Sequence, residues 1–69
     1  MSWSQSVFSD MVTEVGWEDG ELIVTFKKGR VYAYEGVPED KAIELAKAPS
    51  VGQMLNSEIK GQYNFRRIR

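Results

Sequence analysis

Two tyrosines separated by one residue, Tyr32 and Tyr34, are the side chains best suited to hold a ligand. Alternation along a strand places both rings on one face, about 7 Å apart. Paired rings on a sheet are either core or a platform on which bases or a peptide stack. Val31, Ala33 and Glu35 make a poor buried face, so we expect at least one of the two tyrosines to be core.

Cationic side chains lie on both sides of this pair, in a turn before it and at the end of the chain. Basic side chains beside stacking rings hold single-stranded nucleic acid by its phosphates. The predicted nucleic-acid site consists of Lys27, Lys28, Arg30, Tyr32, Tyr34, Arg66, Arg67 and Arg69. The net charge of −1 argues against it, because nucleic-acid-binding domains are usually basic.

A second hypothesis is a protein-interaction module, for example one that docks on a larger enzyme and modulates it. Its surface consists of Trp3, Phe8, Trp17, Glu18, Asp19 and Glu21. Aromatic side chains commonly anchor interfaces, and the negative charges of the acidic turn resemble those of nucleic-acid phosphates. The competing interpretation is that Trp3 and Phe8 pack onto the edge of the domain, while the acidic residues only solubilise a turn.

Catalysis has little support in the sequence. The chain has no cysteine and no histidine, which removes the usual zinc ligands, the commonest general base and the usual nucleophile–base pairs. Ser50 has no base nearby in the sequence, and helix capping explains it. We therefore expect a non-enzymatic binding module with no cofactor and no metal. No apolar run is long enough to span a membrane, and the N-terminus lacks the charged start and apolar stretch of a signal peptide. The lack of disulfides is compatible with a reducing cytoplasm, which is the location we expect.

Three strands are predicted first, over residues 11–17, 21–27 and 31–35. Asp19-Gly20 is a strong hairpin signal, and Gly29 supplies a positive φ in the second turn. In the first strand, one face is expected to carry Met11, Thr13, Val15 and Trp17. Residues 1–10 are rich in serine and lack periodicity, which predicts a flexible arm, with residues 11–69 as the single domain.

Two helices and a last strand complete the predicted fold. Pro38 opens a helix that runs to about Ala48. Ser50 caps a second helix, which is expected to end at Gly61. The alternating residues 63–69 predict an edge strand. The fold class is therefore α+β, in the order βββααβ.

This layout resembles the KTSC domain, named for the C-terminal region of some lysyl-tRNA synthetases. The residues that carry the resemblance are Ser9, Gly16-Trp17, Leu22, Val24, Phe26, Gly29, Tyr32-Ala33-Tyr34, Val37-Pro38, Ala48-Pro49-Ser50-Val51-Gly52, Asn56, Ile59 and Tyr63. They span roughly residues 9–67, and their order is more specific than any one of them. The resemblance implies a small domain that occurs on synthetases and as a stand-alone protein of bacteria and phages, with RNA as its suggested ligand. The chain departs from the family pattern at Lys41-Ala42 and at Met54-Leu55, where aromatic residues are usual.

Overall fold

The first strand of the fold lies in the segment predicted to be a flexible arm. In the computed structural model, which describes residues 2–69, β1 (Ser2–Ser6) pairs antiparallel with β2 (Val12–Glu18). Trp3 lies opposite Trp17 in this pair, and its indole N–H donates to a Glu39 carboxylate oxygen at 3.0 Å. These contacts hold a strand whose other residues are serine and glutamine. Residues 2–6 therefore form a strand where the sequence predicts an arm, and residue 1 of the predicted arm lies outside the described residues. Four strands precede the helices instead of three.

Two further strands extend the sheet through the predicted turns. They are β3 (Glu21–Phe26) and β4 (Val31–Glu35), both antiparallel to their neighbours. Asp19 and Gly20 have φ values of 49° and 84°, as a two-residue hairpin turn with two left-handed residues requires. Gly29 has a φ of 90°. Both turn predictions are confirmed.

A β-bulge in β2 changes which of its side chains face the core. Val12 pairs with Phe26 and Glu14 pairs with Thr25, so Thr13 is the extra residue. An extra residue reverses the alternation of side chains beyond it. Val12 and Val15 are therefore both fully buried, whereas Met11 is 42% exposed and Thr13 is exposed. The prediction that Met11 and Thr13 share the face of Val15 is wrong for this reason.

The helices α1 (Glu39–Ala46) and α2 (Val51–Met54) follow β4. The Ser50 hydroxyl accepts the Gln53 N–H at 3.3 Å, as the predicted cap requires. After Met54 the helix widens into a π-helical turn, Leu55–Ile59, in which the Lys60 N–H donates to the Leu55 carbonyl at 2.9 Å. The sequence predicts one α-helix here; Leu55 and Ile59, at the two ends of the π-helical turn, are both completely buried.

The last strand, β5 (Phe65–Arg67), pairs antiparallel with β4 and completes a five-stranded sheet in the order β1-β2-β3-β4-β5. One face of the sheet packs against the helices. Its core consists of buried side chains from both layers, including Val12, Val15, Leu22, Val24, Tyr34, Ala42, Leu45, Leu55 and Ile59. The fold is α+β as predicted.

Candidate nucleic-acid interface

Three aromatic side chains on adjacent strands form a continuous row on the helix-bearing face of the sheet. Phe26 from β3 meets Tyr32 from β4 edge to face, with ring centroids 5.5 Å apart and planes at 70°. Tyr32 stacks on Phe65 from β5 at 5.5 Å and 9°. Phe65 is 58% exposed. The helices therefore leave this end of the face open, and we call Phe26, Tyr32 and Phe65 the aromatic row.

A groove with basic walls runs along one side of the aromatic row. It has a volume of about 330 Å³ and is lined by Asp10, Met11, Phe26, Lys27, Lys28, Arg30, Tyr32 and Lys60. Four cationic side chains thus face one carboxylate in this basic groove. The Lys60 ammonium group lies 5.8 Å from the centroid of the Phe26 ring, within the range of a cation–π contact.

The β3–β4 turn and the π-helical turn supply the cations from opposite sides. Lys27, Lys28 and Arg30 are carried on the turn that Gly29 closes, where the Gly29 N–H donates to the Phe26 carbonyl at 2.9 Å. Lys60 follows the π-helical turn directly. All four side chains are exposed. A polyanion can therefore approach them without displacing protein atoms.

Tyr34 does not belong to this surface. Its side chain is 1% exposed and lies in the core, opposite Leu22 in the adjacent strand. Burial, and to a lesser degree the neighbouring Tyr32, raises the pKa of its hydroxyl above the ordinary value of 10.0. Of the two predicted tyrosines, only the half-buried Tyr32 is accessible to a ligand, which confirms the expectation that at least one is core.

The three C-terminal arginines do not form one surface. Arg67 pairs with Tyr32 across the strands and therefore lies on the face of the aromatic row. Arg66 lies on the opposite face, where its guanidinium binds both carboxylate oxygens of Glu21. The backbone of Arg69 exchanges hydrogen bonds with Val31, which extends the β4–β5 pairing. The structure therefore brings Lys27, Lys28, Arg30 and Tyr32 together in the basic groove. Arg67 lies on the same face but outside the groove lining, with its Nε–H donating to the Arg69 carbonyl. Tyr34 and Arg66 are separate from the groove.

Comparisons with known proteins agree with this fold. The family model of the KTSC domain matches residues 8–63. The chain belongs to the KTSC domain family. Over 47 residues it is 40% identical to a lysine–tRNA ligase of Nostoc punctiforme, a match that covers 68% of this chain and 8% of the ligase. The crystal structure of a KTSC domain protein from Yersinia pestis superposes with a TM-score of 0.87 at 30% identity, over the whole of both chains.

Several residues of the KTSC pattern have structural roles here. The Ser9 hydroxyl accepts the backbone N–H of Met11 at 3.3 Å at the start of β2. The Trp17 indole N–H donates to the Val37 carbonyl at 2.9 Å, which fastens the loop before α1 to the sheet. Ser50 caps α2. Tyr32 and Phe26 are the pattern residues that line the basic groove.

Three aromatic or cationic residues of the aromatic row and the basic groove are absent from the predicted site: Phe26, Lys60 and Phe65. Alternation assigns Phe26 to the core face with Val24, but it lies where the helices no longer cover that face and is half-buried. Alternation of Tyr63, Phe65 and Arg67 identifies the face of Phe65, and the pairing of Phe65 with Tyr34 places it beside the tyrosines. The placement of Lys60 depends on the π-helical turn, for which the sequence has no clear signal.

The residues of the alternative protein-interaction surface do not share one face of the sheet: Trp3 lies opposite Trp17 on the helix-bearing face, whereas Glu18 lies opposite Glu21 on the other face. Trp3 and Trp17 are half-buried and bind Glu39 and Val37 within the chain. Phe8 is fully exposed in the loop after β1. Among residues 2–69 no group of three histidine, cysteine, aspartate or glutamate side chains is placed to hold a metal ion. In that same part of the chain, no helix has the length and apolar character needed to cross a membrane.

Four carboxylates of the sheet lie on the face opposite to the basic groove. The face without helices carries the exposed or half-exposed carboxylates of Glu14, Glu18, Glu21 and Glu35. Arg66 neutralises Glu21 on that face. The basic groove lies on the opposite face, so the low net charge conceals a local positive surface.

Proposed function

We propose that this KTSC domain is a non-catalytic module that binds single-stranded RNA in the basic groove, with bases stacked on the aromatic row. The observation that supports this proposal best is the continuity of the two features: the rings of Phe26, Tyr32 and Phe65 contact one another, and Phe26 and Tyr32 also line the groove that carries four cations. Stacking rings beside a basic track are the usual features of a single-strand site.

The exposed ring of Phe65 is the expected first stacking position. Each stacked base contributes about 1–3 kcal/mol in such sites. Phe65 is more than half exposed and already contacts Tyr32 and Tyr34 on its inner side, so it is held in place before a base arrives. A pre-positioned ring loses little entropy on binding.

RNA is the expected nucleic acid because of the family relationship. The relative in Nostoc punctiforme is by name a tRNA ligase, and a KTSC segment within it would lie close to RNA. We propose RNA binding alone for this chain, because it matches only 8% of the length of the ligase. A cytoplasmic location stays a prediction.

Adjacent arginines in β5 provide a matched test. Arg67→Gln removes a cation on the face of the aromatic row, whereas Arg66→Gln removes one on the opposite face. Fluorescence anisotropy with a labelled single-stranded RNA, repeated at several salt concentrations, measures the dissociation constant and its salt dependence. We expect a log–log slope of about −2 to −3 for the unmodified protein, corresponding to three or four phosphates. Arg67→Gln is expected to reduce the magnitude of this slope by about 0.7, and Arg66→Gln to leave it unchanged.

Phe65→Ala tests the stacking contribution separately. It is expected to weaken binding about 5- to 150-fold, from the loss of one stacked base, without changing the salt slope. The domain should stay folded, because Phe65 is largely exposed. Absence of binding by the unmodified protein at low salt rejects the proposal. If Arg66→Gln and Arg67→Gln change the salt slope of RNA binding equally, the site is not on the face of the aromatic row.

A second candidate function rests on Phe8. Its side chain is fully exposed, and exposed aromatic side chains commonly anchor protein interfaces. The test is chemical crosslinking in cell lysate with the unmodified protein and with Phe8→Ser. A stoichiometric protein partner that is captured only by the unmodified chain supports this function, and equal capture by both contradicts it.

A further inference from the structure

β1 is an edge strand without the usual protection against further pairing. It is the outermost strand of the sheet, and its sequence, Ser-Trp-Ser-Gln-Ser, has no charge and no proline. Natural edge strands are commonly blocked by charges, proline or bulges, and the opposite edge, β5, carries two arginines in three residues. The pairing of β1 with β2 shows no register shift, so no bulge distorts the outer edge.

The backbone groups that β1 leaves free can be identified from its register. Ser6 lies opposite Glu14, and one residue further on the Val7 N–H donates to the Thr13 carbonyl at 3.1 Å. In an antiparallel pair, hydrogen-bonded and non-hydrogen-bonded positions alternate. Trp3 and Gln5 therefore bond to β2, while the N–H and C=O groups of Ser2, Ser4 and Ser6 point to the outer edge.

A groove beside this edge, between β1 and α1, has opposite charges at its two ends. It has a volume of about 350 Å³, and its walls are Trp3, Ser4, Gln5, Glu39, Ile43, Ala46 and Lys47. The hydrogen bond from Trp3 to Glu39 fixes the acidic end. Lys47, directly after the end of α1, lies eight residues after Glu39 and about 12 Å from it at 1.5 Å per residue. Ile43, which is 38% exposed, lies between the two charged residues.

We propose that two copies of this chain associate through β1 to form a symmetric dimer with a continuous ten-stranded sheet. A two-fold axis perpendicular to the sheet, midway between the two copies of Ser4, pairs Ser4 with Ser4 of the second copy, and Ser2 with Ser6. The three outward-facing serines of each strand then exchange about six backbone hydrogen bonds. On the helix-bearing face, Trp3 lies opposite Gln5 of the second copy.

Charge complementarity favours a second copy over other occupants of this edge. The two-fold axis reverses the direction of the groove, so the Glu39 end of each copy meets the Lys47 end of the other. The pairing brings together uncharged serines, whereas pairing β5 with itself would oppose arginines. An interface of two five-residue strands is smaller than the roughly 800 Å² per partner of stable complexes. The dimer is therefore expected to be weak and to depend on concentration.

Analytical ultracentrifugation of the full chain, from about 10 µM to about 1 mM, is the primary test. The mass is expected to rise from the 7.9 kDa of the monomer towards twice that value. Ser4→Lys and Ser4→Glu each place like charges at the two-fold axis and should weaken association at least about tenfold. An equimolar mixture of the two variants should dimerise again, because the opposed charges are then opposite in sign. Ser57→Lys, at an exposed position of the π-helical turn, is the control.

The amide hydrogen exchange of Ser4 in the unmodified protein is a second measurement that needs no variant. In the dimer this N–H is bonded across the axis, so its protection should increase with protein concentration, while that of Gln5 should not. The proposal is overturned if the mass stays that of the monomer up to about 1 mM. It is also overturned if both Ser4 substitutions leave the dimer intact, or if the exchange rate of the Ser4 amide does not depend on protein concentration.

Discussion

A single methyl group at Gly16 is expected to displace β1 and to weaken its pairing with β2. Gly16 lies in β2, opposite Ser4, and a Cβ atom placed on it would be 2.9 Å from the Trp3 carbonyl oxygen and 3.4 Å from the Ser4 Cβ. The first of these contacts is with backbone, which cannot rotate away. Gly16→Ala therefore requires β1 to move.

The expected cost follows from this geometry. Overpacking typically destabilises a domain by about 1–3 kcal/mol, and in a domain of this size each kcal/mol lowers Tm by about 4–8 °C. We therefore expect Tm to fall by at least about 4 °C. Gly52→Ala is the matched control, because its Cβ would meet only the Ser9 hydroxyl, at an ordinary 3.7 Å. Alanine is favoured over glycine in a helix by about 0.5–1 kcal/mol, so this control should stabilise the protein.

Thermal unfolding by circular dichroism measures both substitutions, and amide hydrogen exchange locates the effect. In Gly16→Ala the amides of Trp3 and Gln5 should lose protection before those of β3 and β4. A Gly16→Ala protein with unchanged Tm and unchanged exchange in β1 refutes the close approach of the two strands. The substitution should also leave RNA binding intact, because the basic groove does not include β1.

Two further stability predictions concern Tyr34 and Ser50. Because burial raises the pKa of Tyr34 in the folded state, its neutral hydroxyl contributes stability that is fully present below about pH 10 and is lost as pH rises through the higher folded pKa. In urea titrations at alkaline pH, the unfolding free energy of Tyr34→Phe should therefore fall less steeply with pH than that of the unmodified protein. An equally steep fall contradicts this prediction. Ser50→Ala removes the acceptor for the Gln53 N–H and should cost about 0.5–2 kcal/mol in the same assay, whereas Ser57→Ala, at an exposed position, should cost much less.

Local signals in the sequence were sufficient for the turns and caps. Asp19-Gly20 and Gly29 predict turns because few other residues adopt a positive φ, and Ser50 predicts a cap because its hydroxyl replaces a missing backbone acceptor. These features depend on a few consecutive residues, and the structure confirms them.

Features that depend on distant residues were not predictable in the same way. β1 has a serine-rich sequence and becomes a strand because Trp3 packs against the core and its indole N–H binds Glu39. Tyr32 and Tyr34 share a face of the sheet, yet only Tyr34 is fully buried. The exposure of each tyrosine depends on how far the helices extend over that face, which the sequence does not reveal. The bulge at Thr13 and the π-helical turn each insert one residue into a regular pattern, which periodicity alone does not reveal.

Chemical-shift mapping tests most directly whether RNA binds to the aromatic row and the basic groove. A single-stranded RNA is titrated into isotopically labelled protein, and the backbone and aromatic signals of every residue are followed. We expect the largest changes at Phe26, Tyr32, Lys60 and Phe65, with little change at Glu14 or Glu18 on the opposite face. Changes centred on the opposite face, or none at low salt, would contradict binding at this surface.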